Sequence, residues 1–391
     1  MSLDERQTMR RKAFKKGLDM NDARRRREDE AVALRKQQKD DQLMKKRFMS
    51  ENTDPQVNST CSQGVTHNPD HCDSPRQPTI AELASQLSHG DLDAKLAVTR
   101  KLRKILSVQH NPPIGEVVAA GITKSFVRFL GEHAKPDLQF ESAWVLTNIA
   151  SGTSDETEHV VDAGALPACI ELLRSENMDV REQAVWAIGN ISGDAPNFRD
   201  LVLNLGGLGP LLSIIMQPCK VSMLRNTIWA VSNLFRGKPF VDVKYVRIAL
   251  PALVRLLDTT ADNEVITDCC WCLSYMADGD FHHVKSVVSS GVIPRLVQCM
   301  KHDCPQIQTP ALRACGNIVT SEETETQAIL DAGGIFPLVN LLRSSRKDVR
   351  REATWMVSNI MAGTSQQIQV VIDAGIVPML IEALEVGRYN S

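Results

Sequence analysis

The stretch "WAIGN" at residues 186–190 decides the fold, because its pattern of Trp followed four positions later by Asn returns along the chain. The other copies are "WVLTN" (144–148), "WAVSN" (229–233) and "WMVSN" (355–359). Trp is scarce, with five in 391 residues, and four of the five stand in this motif. Residues four apart lie on one face of a helix. The motif therefore predicts one kind of helix that the chain builds repeatedly.

The copies follow a nearly constant period. Successive first positions lie 42, 43, 42, 42 and 42 residues apart: Trp144, Trp186, Trp229, Trp271, Arg313 and Trp355. The last position is Asn in each copy except the fourth, where it is Tyr275. Between copies a Gly and then a Pro recur, as in "DAGALP" (162–167) and "DAGIVP" (373–378). Because Gly ends helices and Pro suits the first turn of the next, each unit is predicted to hold three helices.

A period near 42 residues, built from three helices, is the signature of armadillo repeats. One such unit cannot bury its apolar face alone, so neighbouring units stack. The predicted fold is all-α: a right-handed superhelical solenoid of about seven armadillo repeats over residues 79–386, the last incomplete, with a tail at 387–391. The core is predicted to be aliphatic, because hydrophobic residues make up 43% of the chain and aromatic residues only 5%.

The residues before the array differ from it in charge. Residues 1–48 contain 16 Lys/Arg and 9 Asp/Glu, a net +7, which leaves 29 basic and 38 acidic residues elsewhere, a net −9. Residues 1–49 are therefore predicted to be a basic arm. Its helix is expected over about 22–48, which lacks Gly and Pro. Residues 50–78 are polar and contain Ser, Asn and Pro, and they are predicted to be a flexible linker reaching roughly 30 Å.

Several classes of protein are not supported by the sequence. No run of 18 apolar residues predicts a transmembrane helix, and the charged N-terminus does not resemble a secretory signal. The ten Cys are scattered, which favours reduced, buried thiols. Cys61, His67, His71 and Cys72 lack the spacing of a structural zinc site, so no metal is predicted. Without a phosphate-cradling loop or a nucleophile motif, we predict neither a cofactor nor an enzyme.

The Trp and Asn of the motif have two interpretations. In a single unit, Trp would be a core residue and Asn a helix-end residue that accepts local hydrogen bonds. Because the pair recurs in register, we favour a surface on which stacked third helices display ladders of indoles and amides. Asn can pair with a peptide backbone whatever its sequence, and indole faces attract Lys and Arg. Three Trp span roughly 20 Å at helix spacing, which predicts a Lys/Arg-rich peptide of about six residues.

The repeats together with the basic arm closely resemble the importin-alpha (karyopherin-alpha) family of adaptors for nuclear localisation signals. "RRRREDEAVALRKQQKDDQLMKKR" (24–47) looks like that family's importin-beta-binding helix. "GNISGD" (189–194), "SNLFRGK" (232–238) and "ALRACGNIVT" (311–320) look like its third, fourth and sixth repeats. The resemblance implies a nuclear import adaptor that shuttles between cytoplasm and nucleus, with importin-beta and signal-bearing cargo proteins as partners.

The resemblance also implies two peptide grooves. The major groove would use Trp144, Asn148, Gly152, Thr157, Gln183, Trp186, Asn190, Asp194, Trp229 and Asn233, with Asp194 pairing with a deeply bound Lys. The minor groove would use Arg313, Asn317, Val319, Thr320, Glu352, Trp355, Ser358 and Asn359. Arg313 in place of Trp and Tyr275 in place of Asn resemble the family's break between the two grooves.

The basic arm has several interpretations. Its clusters read as nuclear localisation signals or as a solvated helix face, and nucleic-acid binding is opposed by the acidic residues of the arm and of the body. The resemblance implies that importin-beta wraps the helix and that residues 45–47, unbound, fold back onto the major groove and inhibit it. The residues concerned are Arg24, Arg25, Arg26, Arg27, Arg35, Lys36, Lys39, Lys45, Lys46 and Arg47.

The sequence departs from the family after "DAGIVPMLIEAL" (373–384), where no further third helix follows. In the family, later repeats complete the minor groove and help bind the export receptor, so we expect an apparently truncated adaptor with doubtful recycling. The alternative functions are an armadillo scaffold of another kind, in adhesion or signalling, and a truncated adaptor that binds cargo but is poorly recycled. Membrane association and direct binding of nucleic acid are not expected.

Overall fold

A computed structural model describes residues 78–108 and 111–389 of the chain. Within these ranges the protein is built of α-helices and contains no β-strand, which confirms the all-α prediction. The basic arm, its predicted helix over about 22–48 and almost all of the linker lie outside the described residues. The chain divides into two compact units, one through Ile122 and one from Thr123.

The described part of the first unit contains three helices: α1 (Ile80–Ser88), α2 (Leu92–Leu106) and α3 (Ile114–Ala119). A capping box begins α1, because the Thr79 hydroxyl accepts from the Glu82 N–H while the Glu82 carboxylate accepts from the Thr79 N–H. The amphipathic faces of α1 and α2 pack together, and Leu83 and Leu102 are fully buried there. Apolar burial of this kind stabilises the unit by roughly 1.5–3 kcal/mol per leucine.

The second unit is a stack of repeats, most of which end in a third helix longer than the two before it. Its helices are α4 (Thr123–Phe129), α5 (Pro136–Ile149), α6 (Ser154–Asp162), α7 (Ala165–Leu172), α8 (Met178–Asp194), α9 (Pro196–Asn204), α10 (Leu208–Ile215), α11 (Val221–Asn233), α12 (Val243–Thr259), α13 (Asn263–Met276), α14 (Phe281–Ser289), α15 (Ile293–Met300), α16 (Pro305–Ile318), α17 (Glu323–Asp331), α18 (Ile335–Leu341), α19 (Lys347–Met361), α20 (Ser365–Asp373) and α21 (Ile376–Tyr389). The last helix runs through Tyr389, so residues 387–389 are helical rather than the predicted tail, because a single Gly387 does not end a helix.

The predicted boundary between first and second helices is confirmed where the Gly-then-Pro marker is present. The marker glycines all have positive φ, at 68° to 86°: Gly164, Gly206, Gly291, Gly333 and Gly375. This left-handed conformation is unfavourable for residues with a Cβ, so Gly sets the place where each helix ends. The fourth repeat lacks the glycine and has Ile248 in its place. There, α12 runs without a break as a 17-residue helix with Pro251 inside it.

The core between the packed helices is aliphatic, as predicted. On α8, for example, Val185, Ile188 and Ile191 are fully buried. The eight cysteines of the described part are thiols outside any disulfide, and six of them are buried. Burial raises the pKa of the Cys169 thiol to about 12, so this thiol stays protonated and packs as a small apolar side chain.

Within residues 78–108 and 111–389, the structure also bears on metal ligands and on membrane-spanning helices. No group of three or more His, Cys, Asp and Glu side chains there is arranged to hold a metal ion. No single helix there is long and apolar enough to cross a membrane, although α9 and α10 together reach that length and composition across an 80° bend.

Candidate functional site

The third helices of successive repeats pack against one another and carry the motif copies. Helix α8 contacts α5 and α11, α13 contacts α11 and α16, and α16 contacts α19. The local sequence explains why these segments are helical. Pro begins α5 and α16, and an Asn177 cap that accepts from the N–H groups of Asp179 and Val180 begins α8. The motif residues of one helix thereby come beside those of the next.

Three of the motif asparagines donate a hydrogen bond to the preceding third helix. The Nδ2 of Asn190 donates to the Thr147 carbonyl at 3.0 Å, and the Nδ2 of Asn233 donates to the Gly189 carbonyl at 3.0 Å. Asn317 repeats the bond with the Ser274 carbonyl at 2.8 Å. In every case the acceptor belongs to the residue just before the last motif position of the neighbouring helix. The amide thus joins adjacent repeats.

The asparagine amides of the first three copies lie deeper than the sequence suggests. Asn148, Asn190 and Asn233 are each only 2% exposed. Neither interpretation of the sequence included a bond to the neighbouring helix. One N–H of each bonded amide is used in this way, and its second N–H and its oxygen are not required for it. Among the described residues, the buried Oδ1 of Asn190 has no hydrogen-bond partner.

The indoles pack on the small residue that precedes the motif asparagine of the previous helix. A Cβ added to Gly189 would stand 2.1 Å from Cζ3 of Trp229, and one added to Gly316 would stand 2.4 Å from Cζ3 of Trp355. Trp186 is 7% exposed, whereas Trp144 and Trp229 are half-buried. A glycine at this position therefore lets the ring lie against the helix backbone while part of the indole stays accessible.

The predicted minor groove contains an ion pair in place of one Trp. Arg313 forms two hydrogen bonds with Glu352, Nε to Oε2 and Nη2 to Oε1, both at 2.7 Å. Arg313 is 15% exposed and Glu352 only 1%. A bidentate pair at this depth fixes both side chains, because either one alone would be a poorly solvated charge. Both residues were predicted in the minor groove, and the structure brings them into direct contact.

The remaining predicted groove residues differ in accessibility. Buried ones are Thr157, Gln183, Val319, Asn317 and Asn359, half-buried ones are Thr320, Trp355 and Ser358, and exposed ones are Gly152 and Asp194. The Nε2 of Gln183 donates to the Thr147 hydroxyl at 2.9 Å, which links α8 to α5 beside the Asn190 bond. The Nδ2 of Asn359 is buried and, among the described residues, has no hydrogen-bond partner. The arm residues predicted to bind importin-beta lie outside the described ranges.

The role of the residue just before the last motif position was not predicted from the sequence, although Ser358 at this position was named in the minor groove. This residue is Thr147, Gly189, Ser232, Ser274, Gly316 and Ser358 in the six copies, and thus always small. This regularity was visible in the sequence. Its meaning required the structure, because the position supplies the carbonyl that the next asparagine bonds and, at the two glycines, the surface on which the next indole rests.

Ion pairs at the start of the third helices add a second link between repeats. Arg225 near the start of α11 bonds the Asp262 carboxylate that caps α13, with Nε to Oδ1 at 3.0 Å and Nη2 to Oδ2 at 2.5 Å. The hydrogen bond from Arg225 holds the pKa of Asp262 below its usual range. The pair therefore contributes stability at neutral pH that is lost as the pH falls through this lowered pKa.

The stacked three-helix units and their motif-bearing third helices define the class of this molecule as an armadillo-repeat protein. Matches to the armadillo/beta-catenin-like repeat cover residues 110–151, 153–193, 243–278, 280–320 and 325–362. A crystal structure of an engineered protein superposes with a TM-score of 0.72 at 28% identity, covering 78% of this chain and 73% of that one. Residues 10–100 match the importin beta binding domain.

The chain belongs to the importin-alpha family. It is 43% identical over 327 residues to importin subunit alpha-1a of Oryza sativa subsp. japonica, which covers 84% of this chain and 60% of that protein. It is also 43% identical over 323 residues to importin subunit alpha-3 of Arabidopsis thaliana, with 83% and 60% covered. The chain thus spans about 60% of the length of these relatives.

Proposed function

We propose that this chain is a nuclear import adaptor, without catalytic activity, that binds Lys/Arg-rich localisation signals along its third helices. The single observation that carries the proposal is the run of three consecutive Trp–Asn copies on α5, α8 and α11, with the Oδ1 of Asn190 buried and lacking a partner among the described residues. The flanking indoles Trp144 and Trp229 are half-buried and suit the stems of Lys and Arg.

The bond that joins each amide to the previous helix supports this role. An Asn whose Nδ2 is held by a carbonyl has a fixed rotamer, so a peptide that binds its oxygen does not have to order the side chain. Asp194 is exposed at the end of α8, where its carboxylate is open to a cationic side chain. We assign the major groove to the ten residues named above and expect a short extended peptide there.

The basic arm supplies the second half of the proposed function. Family membership and the importin beta binding match at residues 10–100 support importin-beta as the partner of the arm. We propose that residues 45–47, when importin-beta is absent, occupy the major groove as an internal ligand. A tether as short as residues 50–78 gives an effective concentration in the millimolar range, enough for a weak ligand to compete. Shuttling between cytoplasm and nucleus follows from the same proposal.

The groove is tested with a matched pair of tryptophan variants. Trp229 and Trp271 are both half-buried motif indoles, but only Trp229 belongs to the proposed major groove. A fluorescein-labelled Pro-Lys-Lys-Lys-Arg-Lys-Val peptide is titrated against Trp229→Ala and Trp271→Ala by anisotropy. Loss of about 2 kcal/mol or more, roughly thirtyfold in affinity, is expected for Trp229→Ala alone, because anchor residues of an interface dominate its affinity. Equal losses of peptide affinity in the two variants would contradict the proposed groove.

The arm is tested in the full chain by replacing Lys45, Lys46 and Arg47 together with Ala. If these residues inhibit the groove, the same basic peptide binds more tightly to the variant than to the native chain, and adding importin-beta to the native chain has the same effect. The matched control replaces Arg10, Arg11 and Lys12 with Ala, which removes the same amount of charge from the arm. Unchanged affinity after the 45–47 replacement would contradict autoinhibition and leave the groove assignment intact.

A further inference from the structure

A groove of about 850 Å³ lies between α12 and α14, and none of its lining residues belongs to a third helix. It arises where the fourth repeat differs from the others. Since Ile248 replaces the helix-ending glycine, α12 continues through Pro251 and presents one uninterrupted wall. Residues 247, 251 and 255 follow one another at four-residue spacing along that wall, and Leu250 and Val254 lie on its inner side.

The groove combines an apolar floor with cationic rims. Leu250, Pro251 and Val254 supply apolar surface, and Arg247 and Arg255 stand on the same helix. Ser286 of α14 faces them and accepts a hydrogen bond from Nε of Arg247 at 3.3 Å, so the guanidinium reaches across the groove.

The charge of this groove is opposite to that of the surrounding protein. Arg247, Arg255 and Lys285 line it against a single carboxylate, Asp258. That carboxylate is itself 3.5 Å from Nε of Arg295, which offsets its charge. Outside the arm, the chain carries a net charge of −9. A cationic cluster on an acidic body attracts an anionic partner locally, because charge beyond about 10 Å is screened at physiological salt.

We infer that this groove docks an acidic peptide segment that also carries apolar side chains. The charge complementarity selects carboxylates, and the floor of Leu250, Pro251 and Val254 selects an apolar side chain between them. A nucleic acid is disfavoured, because the chain outside the arm carries a net charge of −9 and repels a long polyanion. The two arginines are eight helical residues apart, roughly 12 Å, which an extended peptide spans with about four residues.

The positions of the cationic side chains predict the spacing of charges in the partner peptide. Carboxylates about four residues apart in an extended segment meet Arg247 and Arg255, and an apolar side chain between them contacts Val254. Lys285, held over the Phe281 ring at 5.4 Å, is placed to contact a further carboxylate from the α14 side. The site is separate from the Trp–Asn surface, so an acidic partner and a basic cargo signal bind at the same time.

The test uses the full chain and a fluorescein-labelled Glu-Leu-Glu-Ile-Glu peptide as the probe. Saturable binding is expected, and Arg247→Gln with Arg255→Gln should weaken it about tenfold, since each exposed charge contact contributes up to about 1 kcal/mol. The control replaces Arg174 and Arg343 with Gln, two exposed arginines outside the groove that give the same change in net charge. Thermal unfolding of both double variants confirms that they are folded.

Three outcomes would overturn the inference. The first is absence of saturable binding to the native chain. The second is an equal loss in the control variant, or a loss that follows replacement of Lys45, Lys46 and Arg47 instead, which places the peptide on the arm. The third is equal binding of Glu-Ser-Glu-Ser-Glu or full displacement by millimolar inorganic phosphate, because either shows an anion site without a role for the apolar floor. Retained binding in the presence of saturating basic peptide is expected.

Discussion

The two halves of the third-helix stack have the same architecture and differ in the chemistry of one of their helix contacts. In the first half, α5, α8 and α11 carry consecutive Trp–Asn copies. Hydrogen bonds from the neutral asparagine side-chain amides join these helices at 3.0 Å. In the second half, α13, α16 and α19 include Tyr275 and Arg313 in place of the expected Asn and Trp. There, a bidentate pair between Arg313 and Glu352 joins the last two helices.

This difference shows that a repeat position can keep its structural role while its chemistry changes. Asn190 and Asn233 each donate one side-chain N–H to a backbone carbonyl of the previous helix. Asn359 stands at the equivalent place on α19, yet its buried Nδ2 has no hydrogen-bond partner among the described residues. Between α16 and α19, the arginine–glutamate pair takes over the link. We therefore expect the contact between α16 and α19 to depend on this ionic pair, whereas α13 and α16 are joined by the Asn317 hydrogen bond at 2.8 Å, as in the first half.

The largest effect is expected from removing the carboxylate of that pair. Glu352→Ala leaves the Arg313 guanidinium with only 15% exposure and without its bidentate partner. Breaking a buried pair on one side costs roughly 3–5 kcal/mol of unfolding free energy. Urea unfolding followed by circular dichroism measures the loss. Asp194→Ala, an exposed carboxylate at the first half, serves as control and should change the unfolding free energy by less than about 0.5 kcal/mol. Similar values for both variants would show that the two halves do not differ.

A smaller loss is expected from filling the space that receives an indole in the first half. The Cβ of Gly189→Ala would stand 2.1 Å from Trp229, so the ring must move. Overpacking of this kind costs about 1–3 kcal/mol. Gly115→Ala is the control, because a Cβ there meets nothing within 4 Å and alanine favours a helix. Unfolding free energies and the fluorescence of Trp229 measure both effects, and an unaltered spectrum in Gly189→Ala would contradict the close packing.

The smallest effect is expected between two asparagine variants. In one, the lost side-chain amide donates a hydrogen bond, and in the other the lost Nδ2 has no partner among the described residues. Asn233→Ala removes the hydrogen bond to the Gly189 carbonyl and leaves that acceptor without it, at a cost of about 1–2 kcal/mol. Asn359→Ala removes an Nδ2 that makes no such bond among the described residues, and we expect at most about half that cost. Thermal unfolding of the pair makes the comparison. A greater loss for Asn359 would mean that the second half also relies on its amide.

Much of the fold was predictable because it is local and repeated. The 42-residue spacing, the marker glycines and the prolines of the next first turn predicted three helices in each unit. Those helices are present from α6 to α19 except in the fourth unit, where α12 replaces the first two. The continuous α12 was foreshadowed by a fourth unit that retains only "ALP" (249–251), but its lack of a break became certain only in the structure. Composition alone indicated an aliphatic core, since so few residues are aromatic.

The sequence by itself determined the class of fold, the family and the helix that carries the motif. The repeat period can be read along the chain, and the starts and ends of helices depend on conformational preferences that act over a few residues. Only the tertiary structure decided where the asparagine N–H groups go, which indole rests on Gly189 or Gly316, and that Arg313 meets Glu352. These contacts join residues 39 to 44 positions apart. Their partners are set by how one helix rotates against the next, and that rotation depends on packing across the whole repeat.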